Sequence, residues 1–283
     1  MPFIQPTDPA TRRTRVHITG APNSGKTTSL LTFSGTRIII SCPDEGGYDT
    51  IPKPQDDPNT VSLVYEADQL TKNPTSTQIV EEVRKTLVAI IKGEHGDVHT
   101  VCVEGLHKLH ARILDDLSGG EFFGGAVVGG KEGMDPRVFG GAERKLFELL
   151  SLICHSKIPC VVVTSWDEYE ADRKAQVGEN WSMLPMHKLP ALYGKTATRI
   201  MGEFGVTVHA STVKLSALEK SAQESWLTKS KELAYRWQTR PSGEVWGCAI
   251  KGDKKLIENI PLFIPQSWPI LAEYLGLLTG VKT

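Results

Sequence analysis

The sequence predicts an α/β protein with a mainly parallel sheet and a β-rich, antiparallel C-terminal extension. In the first 165 residues, short apolar stretches typical of buried strands alternate with amphipathic helical segments, and parallel strands need such crossover connections. Farther along, strand-like stretches mostly follow one another without helices, which favours antiparallel pairing on the same sheet. The 283 residues show no internal repeat and no long linker. We therefore expect a loose arm over residues 1–14 and a single domain over residues 15–283.

Apolar runs and helical spacing place the individual elements. Strands are predicted at residues 15–19, 36–41, 61–65, 98–104 and 158–164, and farther along at residues 205–209, 233–238 and 244–250. Helices are predicted where apolar residues recur every three or four positions, at residues 77–91, 106–117, 142–155 and about 268–278. The first three of these helices lie between predicted strands, as a parallel sheet requires.

Two long segments are predicted to be mobile loops. Residues 118–141 contain nine of the 26 glycines of the chain, a density that disfavours a packed helix or strand. Residues 167–195 are polar and irregular, with Pro185 and Pro190 near the end of the segment.

Composition excludes several classes of protein. Hydrophobic residues make up 40% of the chain and charged residues 23%, which is ordinary for a globular protein with a substantial core. The formal net charge of −1 excludes a generally basic nucleic-acid coat, so any contact with phosphates must come from local patches.

The longest apolar runs are far shorter than the roughly 20 residues that span a bilayer. The N-terminus lacks the apolar segment of a signal peptide, and the five scattered cysteines favour reduced thiols. We expect a cytoplasmic protein without a membrane contact.

A glycine-rich motif follows the first predicted strand. Gly20-x-x-x-x-Gly25-Lys26-Thr27 matches the P-loop pattern in full, and it lies between a strand and a helix, the context that this pattern requires. Glycines let backbone N–H groups curl around phosphates, Lys26 is expected to reach the β- and γ-phosphates, and the Thr27 hydroxyl is expected to bind Mg²⁺. The predicted nucleotide-binding residues are Gly20, Ala21, Pro22, Asn23, Ser24, Gly25, Lys26, Thr27 and Thr28.

Two acidic residues at the ends of predicted strands are candidates for the chemistry, because ligands of open α/β sheets bind at the carboxyl edge. Glu104 ends the strand over residues 98–104, where a P-loop fold usually has an aspartate that holds the water shell of Mg²⁺; the glutamate here is one methylene longer. Glu45 follows the second strand and precedes two turn glycines, and it would orient the water that attacks the γ-phosphate. An ordinary strand-end carboxylate and a solvated turn acid are the respective alternatives. The predicted catalytic residues are Lys26, Glu45 and Glu104, and the predicted metal-binding residues are Thr27 and, through water, Glu104.

A P-loop alone does not select a reaction, but the sequence disfavours two of the enzyme classes that contain one. A GTPase should carry an Asn-Lys-x-Asp guanine reader at a strand end, and the chain has none. Small-molecule kinases usually carry an Arg-rich lid, and residues 118–141 contain only Arg137.

The order of these parts resembles that of a RecA-type core ATPase. It resembles more closely the phage-encoded, single-domain "AAA domain" proteins that act in recombination and single-strand annealing. The resemblance rests on the P-loop, on the Asp-Glu-Gly-Gly that contains Glu45 and on the Thr-Val-Cys-Val-Glu-Gly-Leu that contains Glu104. Weaker matches continue through residues 158–168, residues 192–206 and residues 235–243, although Gly205 departs from an Asp of the family. The resemblance covers residues 15–270 and implies a RecA-like P-loop NTPase core.

The resemblance also implies an activity and an assembly. It implies ATP hydrolysis at a subunit interface, with ATP and Mg²⁺ as cofactors, in a homo-oligomer that is a filament or a ring. The sensor after the strand at 158–164 would be Ser165 or Trp166, where the family usually has His or Gln. Trp donates only through its indole N–H, so this departure and the glutamate at position 104 together favour slow turnover, with the nucleotide serving mainly as a switch for assembly. Lys251 and Lys254 fall where RecA-type proteins supply lysines to the ATP of the neighbouring subunit, and such cations stabilise developing phosphate charge.

The resemblance further implies a nucleic-acid partner. In RecA-like proteins, the loops after the Walker B helix and after the sensor strand line the DNA channel, and these correspond to residues 118–141 and 167–195. Basic side chains interleaved with aromatic ones suit single-stranded DNA, although two surface loops without a ligand are the alternative. The candidate DNA-binding residues are Phe122, Phe123, Lys131, Arg137, Arg173, Lys174 and Lys188. A single-strand-binding protein is a further expected partner, and a phage-encoded protein would work in the bacterial host cytoplasm.

Three functions are compatible with the sequence. The leading prediction is an ATP-hydrolysing recombination protein that binds single-stranded DNA as an oligomer. The alternatives are a nucleotide-gated structural or regulatory protein that binds a protein partner without DNA, and a P-loop kinase that acts on a small molecule.

Overall fold

The structure is a computed structural model, and it describes residues 13–41, 58–64, 75–119, 136–169, 188–193, 195–218, 232–242, 245, 248–251 and 254–277. The strands in these ranges are β1 (Thr14–Thr19), β2 (Arg37–Ser41), β3 (Thr60–Val64), β4 (Thr100–Glu104), β5 (Cys160–Ser165), β6 (Asp167–Tyr169), β7 (Lys188–Pro190), β8 (Val206–Lys214), β9 (Leu233–Gln238), β10 (Ala249–Ile250) and β11 (Phe263–Pro265). The helices are α1 (Lys26–Leu30), α2 (Ser76–Ile91), α3 (Leu106–Leu117), α4 (Pro136–Cys154), α5 (Thr196–Glu203), α6 (Lys254–Glu258) and α7 (Trp268–Tyr274), with a 3₁₀ turn at Leu215–Ala217.

One large sheet organises the described part of the chain. Its strands lie in the order β11-β9-β8-β1-β5-β4-β2-β3, and β10 pairs with β8. All pairs from β3 to β8 along this order are parallel, whereas β9, β10 and β11 pair in an antiparallel manner. The predicted fold class, a mainly parallel α/β sheet with an antiparallel C-terminal extension, is therefore confirmed.

Both faces of the sheet are covered, which is why its central strands are almost continuously apolar. Strands β2 and β5, with the sequences RIIIS and CVVVTS, are buried along their whole length. One core lies between the sheet and helices α2 to α5, and the other lies between the sheet and helices α1 and α7. Val103 belongs to the first core and Cys102 to the second, as the alternation of side chains along a strand requires.

The structure differs from the sequence prediction at the two predicted loops. Helix α4 begins at Pro136, so residues 136–141 are helical and do not belong to the predicted loop over residues 118–141. Proline is favoured in the first helical turn, because it has no N–H to lose and its φ suits a helix, and the helix continues through Gly140 and Gly141. In the predicted loop over residues 167–195, β6 and β7 pair with each other. Residues 120–135 and 170–187 of these two segments lie outside the described residues.

Smaller differences concern the C-terminal part. Of the strand predicted at residues 244–250, the described part contains a strand at Ala249–Ile250, whereas residues 244, 246 and 247 lie outside the described residues. The closing helix ends at Tyr274. Helices α5 and α6 and strand β11 were not predicted from the sequence. Among the described residues, no helix is both long enough and apolar enough to cross a membrane.

Candidate functional site

The carboxyl ends of the parallel strands bring the predicted site residues to one edge of the sheet. The loop over residues 20–25 leaves β1 at this edge and enters α1. Ser41 ends β2 and Glu104 ends β4, and the register of these neighbouring strands pairs the two residues. This edge is where open α/β sheets bind ligands.

The backbone of the loop adopts conformations that explain its glycines. Gly20 has φ 151°, and a Cβ there would lie 2.4 Å from the carbonyl oxygen of Ala210. Gly25 has φ 88°, and a Cβ there would lie 2.5 Å from Cδ1 of Tyr235 and 2.8 Å from Oε1 of Gln266. Both positions therefore exclude a side chain, by conformation and by close approach of the C-terminal strands.

The Lys26 side chain folds back against the loop that precedes it. Its side chain is buried, and Nζ donates hydrogen bonds of 2.8 Å to the carbonyl oxygens of Gly20 and Ala21. A buried ammonium held at the rim of a loop of backbone groups suits an anion, because a charge-assisted hydrogen bond to phosphate is stronger than one to a neutral carbonyl.

Thr27 and Glu104 are in direct contact. The Thr27 hydroxyl donates to Oε1 of Glu104, and the Ser41 hydroxyl donates to Oε2 of the same carboxyl group at 2.9 Å. Burial raises the pKa of Glu104, and the hydrogen bonds from Thr27 and Ser41 and the charge of Lys26 act in the opposite direction. The carboxyl group is thus nearly enclosed, with both oxygens oriented by hydroxyl donors.

The donor set at this point fits Mg²⁺. A threonine hydroxyl and a carboxylate are hard oxygen ligands, and Mg²⁺ in nucleotide sites is held by one or two such groups, by water and by phosphate oxygens. Thr27 and Glu104 would hold the ion, and the raised pKa of Glu104 indicates a carboxylate that gains from a nearby cation.

The residues at and just after the end of β5 pack into the protein. Ser165 is fully buried, and its Oγ lies 2.8 Å from Nε2 of His17 in a hydrogen bond. The Trp166 backbone N–H donates to Nδ1 of His107 at 3.3 Å, and the two rings stack with centroids 4.4 Å apart. Nζ of Lys108 lies 5.0 Å from the centre of the Trp166 ring. The sensor role of Ser165 or Trp166 stays a prediction.

The remaining predicted site residues are less well connected. Lys251 donates from Nζ to the carbonyl oxygen of Gly202 at the end of α5, and Lys254 is exposed, with Nζ 3.7 Å from Glu258. Arg137 is exposed near the start of α4, and Nζ of Lys188 lies 3.9 Å from Oδ2 of Asp167. The following candidates lie outside the described residues: Glu45, Phe122, Phe123, Lys131, Arg173 and Lys174.

Sequence reasoning missed three groups at this edge. Ser41 ends its strand beside Glu104, and a comparison of strand ends would have found it. His209 and Asp167 are hydrogen bonded at 2.8 Å, and their pairing depends on the position of β8 beside β1, which no local pattern indicates. Gln266, which directly follows the last strand, contacts the loop, again without a local signal.

Gly25→Ala provides the first test of this geometry. We expect the affinity for Mg²⁺-ATP, the ligand that the motif predicts, to fall by at least about tenfold, because a methyl group would push the loop away from Tyr235 and Gln266. Gly93→Ala is the matched control, since Gly93 also has a left-handed φ of 81° but nothing lies within 4 Å of a Cβ there. Both variants lose about 1 kcal/mol of stability through φ. Unchanged affinity in Gly25→Ala, measured by titration, would contradict the prediction.

Fold and site together define a mixed α/β protein with a P-loop and a buried acid at the carboxyl edge of its sheet. No protein-family model matches the sequence, and no curated protein matches it. Among solved structures, the chain is similar to the assembled ATPase EscN of the type III secretion system of enteropathogenic E. coli, with 14% identity, a TM-score of 0.41, and coverage of 70% of this chain and 43% of that one. It is also similar to the RadB recombinase, with 11% identity, a TM-score of 0.37, and coverage of 72% and 77%. The chain thus spans less than half the length of the secretion ATPase, and the function must be inferred from the site itself.

Proposed function

We propose that this protein binds ATP with Mg²⁺ and hydrolyses it. The observation that carries the proposal is the contact between the Thr27 hydroxyl and the buried Glu104 carboxyl group, directly beside the P-loop lysine. A chance glycine-rich turn would have no reason to bring a hydroxyl next to Lys26 against an acid that is 77 residues away in sequence.

Each residue has a distinct task in the proposed reaction. The loop over residues 20–25 presents backbone N–H groups to the phosphates, and Lys26 exchanges the carbonyl oxygens of Gly20 and Ala21 for phosphate oxygens. Thr27 and Glu104 orient the metal and its water shell, and Glu45 is the predicted residue that orients the attacking water. Mg²⁺, when bound, neutralises charge on the phosphates.

We further propose that the protein binds single-stranded DNA as a homo-oligomer, as a phage-type recombination protein would. The resemblance described above supports this part of the proposal, together with the basic and aromatic residues within residues 118–141 and 167–195. Of these residues, Arg137 and Lys188 lie in the described part, where both are at least partly accessible. Phosphate contacts from such side chains predict binding that weakens steeply with salt.

The decisive experiment measures ATP hydrolysis with and without single-stranded DNA over a range of protein concentrations. We expect DNA to stimulate hydrolysis, with a rate per subunit that rises cooperatively with protein concentration. Lys26→Ala should weaken nucleotide binding by about a hundredfold, because it removes a buried charge partner of the phosphates. Lys92→Ala, which changes an exposed lysine after α2, is the control and should behave like the unmodified protein.

The other outcomes separate the competing functions. Full-strength DNA binding by Lys26→Ala in the absence of bound nucleotide would exclude ATP as the switch for DNA binding. ATP binding without any effect of DNA would favour a nucleotide-gated protein that binds a protein partner, and such an interface should be far less sensitive to salt. Transfer of phosphate to an added small-molecule acceptor would identify a kinase instead.

A further inference from the structure

A single buried glutamine connects the C-terminal strands to the P-loop. Gln266 directly follows β11 and is fully buried. Its Nε2 lies 2.7 Å from the carbonyl oxygen of Ser24, 3.0 Å from that of Arg236 and 3.4 Å from that of Ser211. One amide group therefore joins the loop to β8 and β9.

The contact with Ser24 controls the orientation of one peptide of the loop. No described peptide bond is cis, so the C=O of Ser24 and the N–H of Gly25 point in opposite directions. Because Nε2 of Gln266 holds the Ser24 carbonyl, the Gly25 N–H is directed away from Gln266 and from the C-terminal strands. A P-loop binds phosphate through N–H groups that converge inside the loop, and a reversed peptide would present a carbonyl oxygen to the anion.

The oxygen of the same amide group shows that hydrogen bonding is not satisfied at both ends of the Gln266 side chain. Oε1 of Gln266 is buried and, among the described residues, has no hydrogen-bond partner. It lies instead against Gly25, 2.8 Å from the position of a Cβ on that residue. An unpaired buried oxygen is unfavourable, so the amide is oriented by its donor side, which faces the loop.

We propose that Gln266 is a positioning residue of the nucleotide site, which holds the Ser24–Gly25 peptide in the orientation that phosphate binding requires. The inference rests on the proposed function, because it assigns to Gln266 a part in nucleotide binding. Through this residue the C-terminal extension determines the affinity of a loop that lies 242 residues earlier in the chain.

The chain contains a closely matched control. Gln238, on β9, is also buried, and its Nε2 donates to three carbonyl oxygens, those of Arg240, Ser242 and Val245, at 2.9, 3.2 and 3.5 Å. None of these acceptors belongs to the P-loop. Gln266→Met and Gln238→Met therefore remove the same kind of bonds, and they differ in which backbone segment is released.

The experiment compares these two variants in the full-length protein with a fluorescent ATP analogue and Mg²⁺. We expect Gln266→Met to raise the Kd by about tenfold and the KM for ATP to a similar extent, with little change in kcat, because it removes uniform binding. Gln238→Met should leave Kd and KM nearly unchanged. It should lower the melting temperature by about as much as Gln266→Met does. Equal effects of the two variants on Kd, or none in Gln266→Met, would overturn the assignment.

Hydrogen exchange without nucleotide provides an independent readout. Peptides that cover residues 20–26 should exchange faster in Gln266→Met than in Gln238→Met, since only the first variant releases the loop. Gln266→Glu should show the same effect more strongly, because a carboxylate would face three carbonyl oxygens without a proton to donate. An unmodified protein that binds no ATP would overturn the proposed function, and loop exchange equal in all variants would overturn the positioning role.

Discussion

Glu104→Gln is expected to reduce Mg²⁺-dependent ATP hydrolysis by about a hundredfold or more, because it removes the buried negative charge that the metal site requires. The side chain keeps its shape, and its amide still accepts a hydrogen bond from Thr27 or Ser41. Loss of hydrolysis therefore reports on the charge and not on packing. The measurement is steady-state hydrolysis at several Mg²⁺ concentrations, and a rate within about twofold of the unmodified protein would contradict the role of Glu104.

The same substitution should change how stability depends on pH. Burial raises the pKa of Glu104 in the folded protein above its value in the unfolded chain, so the folded state binds this proton more tightly. The free energy of unfolding of the ligand-free protein must then fall as pH rises through the interval between the two values. Glu104→Gln cancels this contribution, and the variant should be no less stable than the unmodified protein near pH 8.

Ser41→Ala is the companion variant, since it keeps the carboxyl group and removes one donor. The Ser41 hydrogen bond favours the ionised form of Glu104, so its loss raises the pKa of that group further. The acid limb of Mg²⁺-ATP binding should therefore move to higher pH in this variant. A shift to lower pH would contradict the orientation of the Ser41 hydroxyl towards the carboxylate.

Local patterns were sufficient for much of the fold. Helix α3 and strand β9 have the predicted bounds, because their apolar patterns are clear and because α3 packs on the sheet to which β9 belongs. The start of α4 was misplaced because glycine content was weighed against a helix, while Pro136 was not recognised as a first-turn residue. Strand β11 has three residues, too few for its period to be read from the sequence.

In the candidate site, too, local sequence patterns predict some residues, whereas other contacts depend on pairing between distant parts of the chain. The P-loop pattern and the end of β4 were enough to predict that Lys26, Thr27 and Glu104 lie at one edge of the sheet, since the loop follows one buried parallel strand and Glu104 ends another. The bond from Gln266 to Ser24 depends on the antiparallel order of β8, β9 and β11, and a change of pairing there would remove it without altering any motif. The sequence pattern predicts the chemical groups of the loop. The contacts that orient the loop, such as the one from Gln266, depend on the order of the strands.

Acid is expected to destabilise this protein severely, through three histidines buried on one side of the sheet. Burial lowers the pKa of His17 to about 3 and that of His110 to about 4. Burial, assisted by the charges of Lys108 and Lys26, lowers the pKa of His107 to about 3. Each group is therefore neutral in the folded protein under conditions where the unfolded chain takes up a proton.

The sign and size of the effect follow from this difference. Below the unfolded value near 6.5, the unfolded chain binds more protons than the folded protein, so stability falls as pH falls from about 6.5 towards 4. By pH 4 each histidine contributes a loss on the order of 3 kcal/mol, and the three together, about 9 kcal/mol, lie within the roughly 5–15 kcal/mol that keeps a typical domain folded. We expect unfolding above pH 4, measured as denaturant midpoints from pH 8 downwards.

His17→Asn tests the linkage directly, and a neighbouring residue provides its control. Asn retains a hydrogen-bonding group for Ser165 but takes up no proton, so the dependence of stability on pH should become shallower by about one proton. Phe204→Leu replaces the aromatic ring, whose centroid lies 5.4 Å from that of the His17 ring, with a smaller aliphatic side chain, and it adds or removes no titrating group. Its stability curve should lie below that of the unmodified protein and parallel to it. A parallel shift in His17→Asn as well would mean that the loss reflects packing alone, and that proton uptake by His17 does not contribute to the acid sensitivity.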